Sequence, residues 1–269
     1  MTMQRFHRFR KLFFLTTLTL AKLRGEIIAQ TDYTVPINMP YRPGWTLYFQ
    51  DEFDSPNLDT TATIWWSQET EREKENALFR YANVSVKNSC LHLTLRKERV
   101  QKYEYTAGMV YKAEPVPINT YTEISCKVPK GLGFWPAFWF WVGAGETYQE
   151  IDVAEFTGQK PFQFQANNYY WDAKRKKIRC DCKRIWPIYP DGNSIDVTEI
   201  FHVYGVEWTE KYIRYYFDNQ LVREIKKNIP KNPMGLILGM GLYPNENPPE
   251  AALPAHFMID YVRIFKKNK

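Results

Sequence analysis

The sequence predicts an all-β protein, a sandwich of two curved antiparallel sheets. Three observations carry this. From residue 45 onward apolar and polar residues alternate in short runs; Gly, Pro, Asn and Asp interrupt those runs; and no helical period lasts beyond a turn or two. The chain has 269 residues with no internal repeat or low-complexity linker, so residues 31–269 read as a single domain with room for a two-layer core.

Residues 1–30, MTMQRFHRFRKLFFLTTLTLAKLRGEIIAQ, are a different kind of sequence. A basic start, the apolar run Leu12 to Ala21 and a small-residue site near Ala29 read as a signal peptide or leader, although Lys22 and Arg24 follow the apolar run. That run is too short to span a bilayer. The expectation is a secreted, periplasmic or cell-surface protein.

The strands follow in order. TLYFQ opens the pattern, and VSVKNSCLHLTLRK and YTEISCKV continue the alternation between turn residues. FWPAFWFWV puts Trp135, Ala137, Trp139 and Trp141 on one face and Phe134, Phe138 and Phe140 on the other. EIDVAEF and FQFQANNYYW come next, then FHVYGVEW. In YIRYYFDNQLVREI the Asp218-Asn219 pair suits the φ > 0 positions of a two-residue hairpin. MGLILGMGL and FMIDYVRIF close the series.

Composition narrows the function. The net charge of +6 falls to +1 once the +5 carried by residues 1–30 is set aside, which removes the cationic surface that nucleic-acid binding needs. The four His are scattered singly, and Cys90, Cys126, Cys180 and Cys182 have no metal-site spacing. Cys180 and Cys182 lie on one face of a strand, near the limit of disulfide reach and with parallel Cβ directions, so a bond between them is not expected; Cys90 with Cys126 stays open. Aromatic residues make up 16% of the chain, with nine Trp, more than a core usually takes, so some should face a ligand such as a sugar ring.

The stretch YQEIDVAEFTG, residues 148–158, crowds Glu150, Asp152 and Glu155 into six positions. Like charges that close raise one another's pKa, a cost that calls for a use. On a regular strand Glu155 would face away from the other two, whereas a bulge at Val153-Ala154 returns it to their face. Two carboxyl groups brought together are what a retaining glycosidase needs, one as nucleophile and one as acid/base, and a central Asp152 would split their pKa values. Trp135, Trp139 and Trp141 just upstream would offer indoles to stack on sugar rings.

At these residues the chain resembles glycoside hydrolase family 16, in the bulged Glu-x-Asp-x-x-Glu form found among laminarinase-, agarase- and carrageenase-like members. GFWPAFWFW resembles the strand that precedes that motif, FQDEFD with LDTTATIWW the opening strand, and GMVYKAEPVPINTYTEISCKVPKG paired cleft strands. FHVYGVEWTEKYIRYYFDNQLV resembles a convex-sheet hairpin and HFMIDYVRIFKK the closing strand. The resemblance implies a concanavalin-like β-jelly-roll with an open concave cleft, cutting internal β-linkages of a polysaccharide with retention. It assigns Glu150 as nucleophile, Asp152 as its assistant and Glu155 as acid/base. It sets Trp135, Trp139, Trp141, Tyr169 and Trp171 at the substrate. Catalysis would need no cofactor. Asp260 matches a position where some members place a structural Ca2+ ligand.

Departures bear on the substrate. GAGETYQ stands where β-1,3-glucan-cleaving members often carry Trp-Pro, and QANNYYWD has Tyr169 where many have a His beside the acid/base. Lys174, Arg175, Lys176, Lys177 and Arg179 form a basic run, a solvated hairpin in the ordinary case and a contact for a sulfated galactan if it overhangs the cleft. β-1,3- or mixed-linkage glucan and algal galactan are therefore both candidates. The competing functions are a lectin-like protein of the same fold, which would normally have lost a carboxylate, and a transglycosylase. Apart from the polysaccharide no partner is implied, and a monomer suffices.

Overall fold

The computed structural model describes residues 43–58, 64–72 and 75–268, all within one unit spanning Thr34–Lys269. The expected leader, residues 1–30, lies outside them. Alternation sorts the side chains into two layers. The first is an 11-stranded sheet of β1 (Trp45–Asp51), β3 (Thr70–Glu71), β4 (Ala77–Phe79), β5 (Val84–Lys87), β6 (Cys90–Val100), β7 (Tyr103–Ala107), β9 (Thr120–Lys127), β14 (His202–Trp208), β15 (Ile213–Phe217), β16 (Gln220–Ile225) and β18 (Ala255–Lys267). The second has seven strands in the order β13 (Lys177–Ile185), β12 (Phe164–Asp172), β11 (Gln149–Glu155), β10 (Phe134–Val142), β17 (Gly235–Leu242), β8 (Met109–Lys112) and β2 (Trp65–Trp66). The pairings are antiparallel except β4 with β7, which is parallel.

Two expectations change. The segment expected to supply paired cleft strands is divided: β8 lies in the seven-stranded sheet, while β9 pairs with β14 and β18 in the other. VSVKNSCLHLTLRK is a hairpin, β5 to β6, turning at Asn88 and Ser89 with φ of 52° and 54°. The hairpin expected at Asp218-Asn219 forms as read, with φ of 45° and 66°.

The core lies between the sheets. Phe134, Phe138 and Phe140 from β10 are buried, and Phe140 meets Trp208 of β14 at 6.3 Å between ring centres. Phe156 packs edge-on against Tyr204, and Phe164 stacks on Phe217. Each such ring is worth about 1.5–3 kcal/mol of burial, so the β10–β12 backbone has a stiff bed beneath it. Hydrogen bonds tie the layers as well: the Tyr215 hydroxyl donates to the Asn167 carbonyl at 2.7 Å, and Arg223 donates to the Ala166 carbonyl and to Asp181.

The disulfide expectation is overturned, for Cys180 and Cys182 are bonded to each other. Their Cα atoms are 5.3 Å apart, so the strand is contracted below full extension at Asp181 and the pair comes within reach. Cys90 and Cys126 are both free thiols.

Gly108 sits where the chain leaves one sheet for the other, between β7 and β8, and its carbonyl accepts the Met240 amide at 2.9 Å. A Cβ there would lie 2.5 Å from the Asn83 carbonyl oxygen and 3.0 Å from the Thr94 nitrogen, both backbone atoms. Gly108→Ala should therefore destabilise the fold by ~1–3 kcal/mol, read as a lower urea midpoint; an unchanged midpoint would mean the corner yields freely.

Candidate active site

The bulge lies where the sequence requires one. Against β10, Asp152 pairs with Trp139 and Ala154 with Phe138, leaving Val153 as the extra residue; against β12, Asp152 pairs with Asn167 and Glu155 with Gln165. Glu150, Asp152 and Glu155 consequently all line one cavity of about 280 Å³, with Trp135, Ala137, Trp139, Tyr148, Tyr169 and Arg72. Val153 and Ala154 are buried beneath them.

A chain of hydrogen bonds runs through the three acids. The Tyr148 hydroxyl donates to Glu150, and Asp152 is bonded to Glu150 from the other side. Asn167 donates from one amide nitrogen to Asp152 Oδ2 at 3.1 Å and to Glu155 Oε2 at 2.9 Å, while its own Oδ1 accepts the Lys183 amide, which fixes the amide's orientation. Trp135 Nε1 donates to Glu155 Oε1 at 2.8 Å.

Burial raises the pKa of all three. Desolvation is the main cause for each, and Asp152, also facing the charges of Glu150 and Glu155, is held well above the usual carboxylate range. Glu150 is drawn back down by the Tyr148 hydroxyl, the Asp152 bond and the Arg72 charge, Glu155 by Trp135, Arg72 and Asn167. Asp152, the most deeply buried of the three, is thus the carboxyl pushed most clearly towards the neutral form, and it is hydrogen-bonded to Glu150.

The indoles are less free than alternation suggests. Trp135 stacks on Tyr243 at 4.4 Å with the rings 8° apart, and Trp139 is buried with Arg72 over its ring. Trp141 is 40% exposed on the same strand beyond the cavity, and Trp171 is half-buried two residues past Tyr169. Tyr169 stands opposite Glu150 in register, whereas the group that touches Glu155 from β12 is Asn167. Tyr169 still feels the charge of all three acids across the cavity.

Sequence reasoning passed over Arg72, Tyr148, Asn167, Tyr243 and the Trp66–Tyr111 stack, whose rings are 4.0 Å apart in the same cross-strand row as Trp139. Tyr148 alone left a usable signal, standing two residues before Glu150 on a strand of period two.

In the basic run, Lys174, Lys176 and Lys177 are exposed on the β12–β13 hairpin, Arg175 is paired with Asp172 at 2.9 Å, and Arg179 is opposite Tyr170, on the face turned from Tyr169. Asp260 is exposed at the bulge between Ile259 and Tyr261. Among the described residues no group of three or more His, Cys, Asp or Glu is placed so that it could hold a metal ion.

Residues 71–263 match the family described as Glycosyl hydrolases family 16. The chain is 22% identical to a glucan endo-1,3-beta-glucosidase A1 of Niallia circulans, over 91% of this chain and 41% of that protein. It is 29% identical to an endo-1,3-1,4-beta-glycanase of Rhizobium meliloti, over 61% and 34%. It therefore spans less than half the length of these two curated relatives. The solved endo-beta-1,3-glucanase of Pyrococcus furiosus superposes with a TM-score of 0.72 at 24% identity, covering 82% of this chain and 94% of that one, a likeness of fold.

The raised carboxyl pKa values carry a stability cost with a definite sign. A folded acid that keeps its proton above its ordinary value of 4.5 makes the folded state lose stability as pH rises through that window. Glu150→Gln should therefore melt higher than the parent at pH 7, with the gap narrowing towards pH 4. Thermal melts across that range test this; an equal gap at both ends would mean the carboxylate is not paying for its burial.

Proposed function

The chain belongs to glycosyl hydrolases family 16, and from that premise we propose that it is an endo-acting O-glycosyl hydrolase that cuts internal β-linkages of a neutral β-1,3- or mixed-linkage glucan with retention of configuration. The observation that carries the reading is the unbroken hydrogen-bonded series Tyr148, Glu150, Asp152, Asn167, Glu155, Trp135 along an aromatic-walled cavity. No carboxylate of the set is replaced, which argues against a lectin-like role.

The chemistry follows from the two ends of that series. Glu150, kept anionic by the Tyr148 and Asp152 donors, attacks the anomeric carbon and forms a covalent glycosyl–enzyme intermediate. Glu155, whose burial keeps its proton, gives that proton to the departing glycosidic oxygen. It then takes a proton from the water that releases the sugar from Glu150. Asp152, holding its own proton between them, lets Glu150 accept and lose charge without a second anion forming beside it. A sugar acceptor in place of that water would give transglycosylation.

The neutral substrate rests on where the cations are. Arg175 is occupied by Asp172, Arg179 lies on the opposite face, and Arg72 is committed to carboxylates, so a sulfated galactan would meet a cavity rich in acid. The names of the relatives point the same way. The reading extends to an activity outside the cytoplasm, where a polymeric substrate is met, supported by the basic start and apolar run Leu12 to Ala21, and a monomer is sufficient for it.

Incubation with laminarin, mixed-linkage glucan, agarose, porphyran and carrageenan, followed by reducing-end assay, should release oligosaccharides from the glucans, with the β-anomer seen first by proton NMR. Glu150→Gln should lower kcat by roughly 10³-fold or more. Cleavage of only the sulfated galactans would reverse the substrate assignment, first appearance of the α-anomer would exclude retention, and near-full activity of the variant would remove Glu150 from the mechanism.

A further inference from the structure

A cation lines the cavity with a fourth carboxylate beside it, and neither has a part in that mechanism. Arg72 and Glu75 lie in the connection between β3 and β4, far in sequence from the acid segment. The Arg72 guanidinium carbon stands 5.2 Å from the centre of the Trp139 ring, and its Nε is 3.4 Å from Glu75 Oε1. The Arg72 side chain is 42% exposed while that of Glu75 is 3%.

Glu75 is fixed from behind. Its Oε2 accepts the Leu242 amide at 3.4 Å and lies close against Gly241, where a Cβ would stand 2.9 Å from that oxygen. Burial of a carboxylate without a catalytic task is costly. Here desolvation pushes Glu75 up to about 6, with the Arg72 charge and the Leu242 amide opposing it.

We propose that Arg72 and Glu75 are a positioning pair for the catalytic acids: Glu75 holds the Arg72 guanidinium across Trp139, so that its charge faces Glu150 and Glu155 together. The catalytic consequence rests on the reading above; the pair itself does not. The groups facing Glu150 are Tyr148 and Asp152 from its own strand, Tyr169 from β12 and Arg72. Those facing Glu155 are Trp135, Asn167, Tyr169, Tyr243, Asp152 and Arg72, and the charge of Glu150 raises it as well. Of these, Arg72 supplies the positive charge that acts on both glutamates, and it acts also on Tyr111 of β8. A salt bridge that only braced the β3–β4 connection would leave the glutamates' titration untouched.

The test is a pH titration of 13C-labelled glutamate side chains by NMR, with the Glu150 and Glu155 signals assigned from E150Q and E155Q. It reads the pair whether or not the protein turns over a glucan. In Arg72→Met both glutamates should titrate higher, by of order half a unit to one unit, and on an active substrate both limbs of the kcat/KM profile should move to higher pH. Glu75→Ala should move them in the same direction, since an unanchored arginine leaves Trp139. Glu75→Gln, which keeps the volume and an acceptor oxygen, should not raise them. Addition of Glu75→Ala to Arg72→Met should give no further shift. Parental titration in Arg72→Met, or additive shifts in the double variant, would overturn the proposal, and if Glu75→Ala fails to fold, Arg72→Met and Glu75→Gln decide it. Shifted titration without cleavage of any glucan would leave the pair standing and remove the substrate reading instead.

Discussion

One extra residue in β11 is the constraint on which the site depends. A strand of strict period two would turn Glu155 into the inter-sheet core, where Val153 and Ala154 now pack with Phe138 and Phe156, and an unpaired carboxylate there would cost several kcal/mol. The bulge instead exchanges a two-residue break in the ladder for three acids on one face. That break is affordable because the strands on both sides are held elsewhere: β10 is paired along its length to β17, and β12 is tied to the opposite sheet through Tyr215 and Arg223.

Once the three acids share a face, their electrostatics leave few choices. All three are pushed towards the neutral form, and the nucleophile of the proposed mechanism must be an anion, which calls for donors that are unequally distributed. Glu150 receives a phenol and a carboxylic acid; Glu155 receives an indole and an amide. Asp152, the most enclosed, has Asn167 as its donor and shares a hydrogen bond with Glu150. Unequal hydrogen-bond donors are thus laid over a common burial that raises all three carboxyl groups. The same reasoning explains why a cation is valuable at the edge of the cavity, where it works on both ends of the series at once.

The parts legible in the sequence were those governed by period and turn chemistry. Alternation in FWPAFWFWV divided the indoles from the phenylalanines, Asp218-Asn219 marked its hairpin, and the need for Glu155 to rejoin Glu150 located the bulge. What was hidden depends on contacts between distant strands. Arg72 and Trp139 are 67 positions apart, and no local pattern distinguishes that arginine from its charged neighbours. The division of β8 from β9 was hidden too, since both runs alternate and only the crossing at Gly108 and the loop before Thr120 assign them to different sheets. The Cys180–Cys182 bond failed for a related reason: ideal strand geometry was assumed at a place where the edge strand contracts.

The aromatic surplus also takes another meaning in three dimensions. Read as a row, Trp135, Trp139 and Trp141 look like a platform for successive sugars, but Tyr243 covers one face of Trp135 and Arg72 lies over Trp139. Trp135 spends its N–H on Glu155, so its first task is to orient a carboxylate. Only Trp141, beyond the cavity, stays broadly open. A sugar seated at the carboxylates therefore meets rings held edge and face by their neighbours, in a cavity whose cation is already shared among acids. On the proposed reading such walls would recognise shape and hydroxyl groups rather than a sulfate, whose desolvation they would leave uncompensated. In the proposed mechanism, rigidity supplied by these aromatic and ionic contacts would keep the two glutamates at fixed positions while charge passes between them.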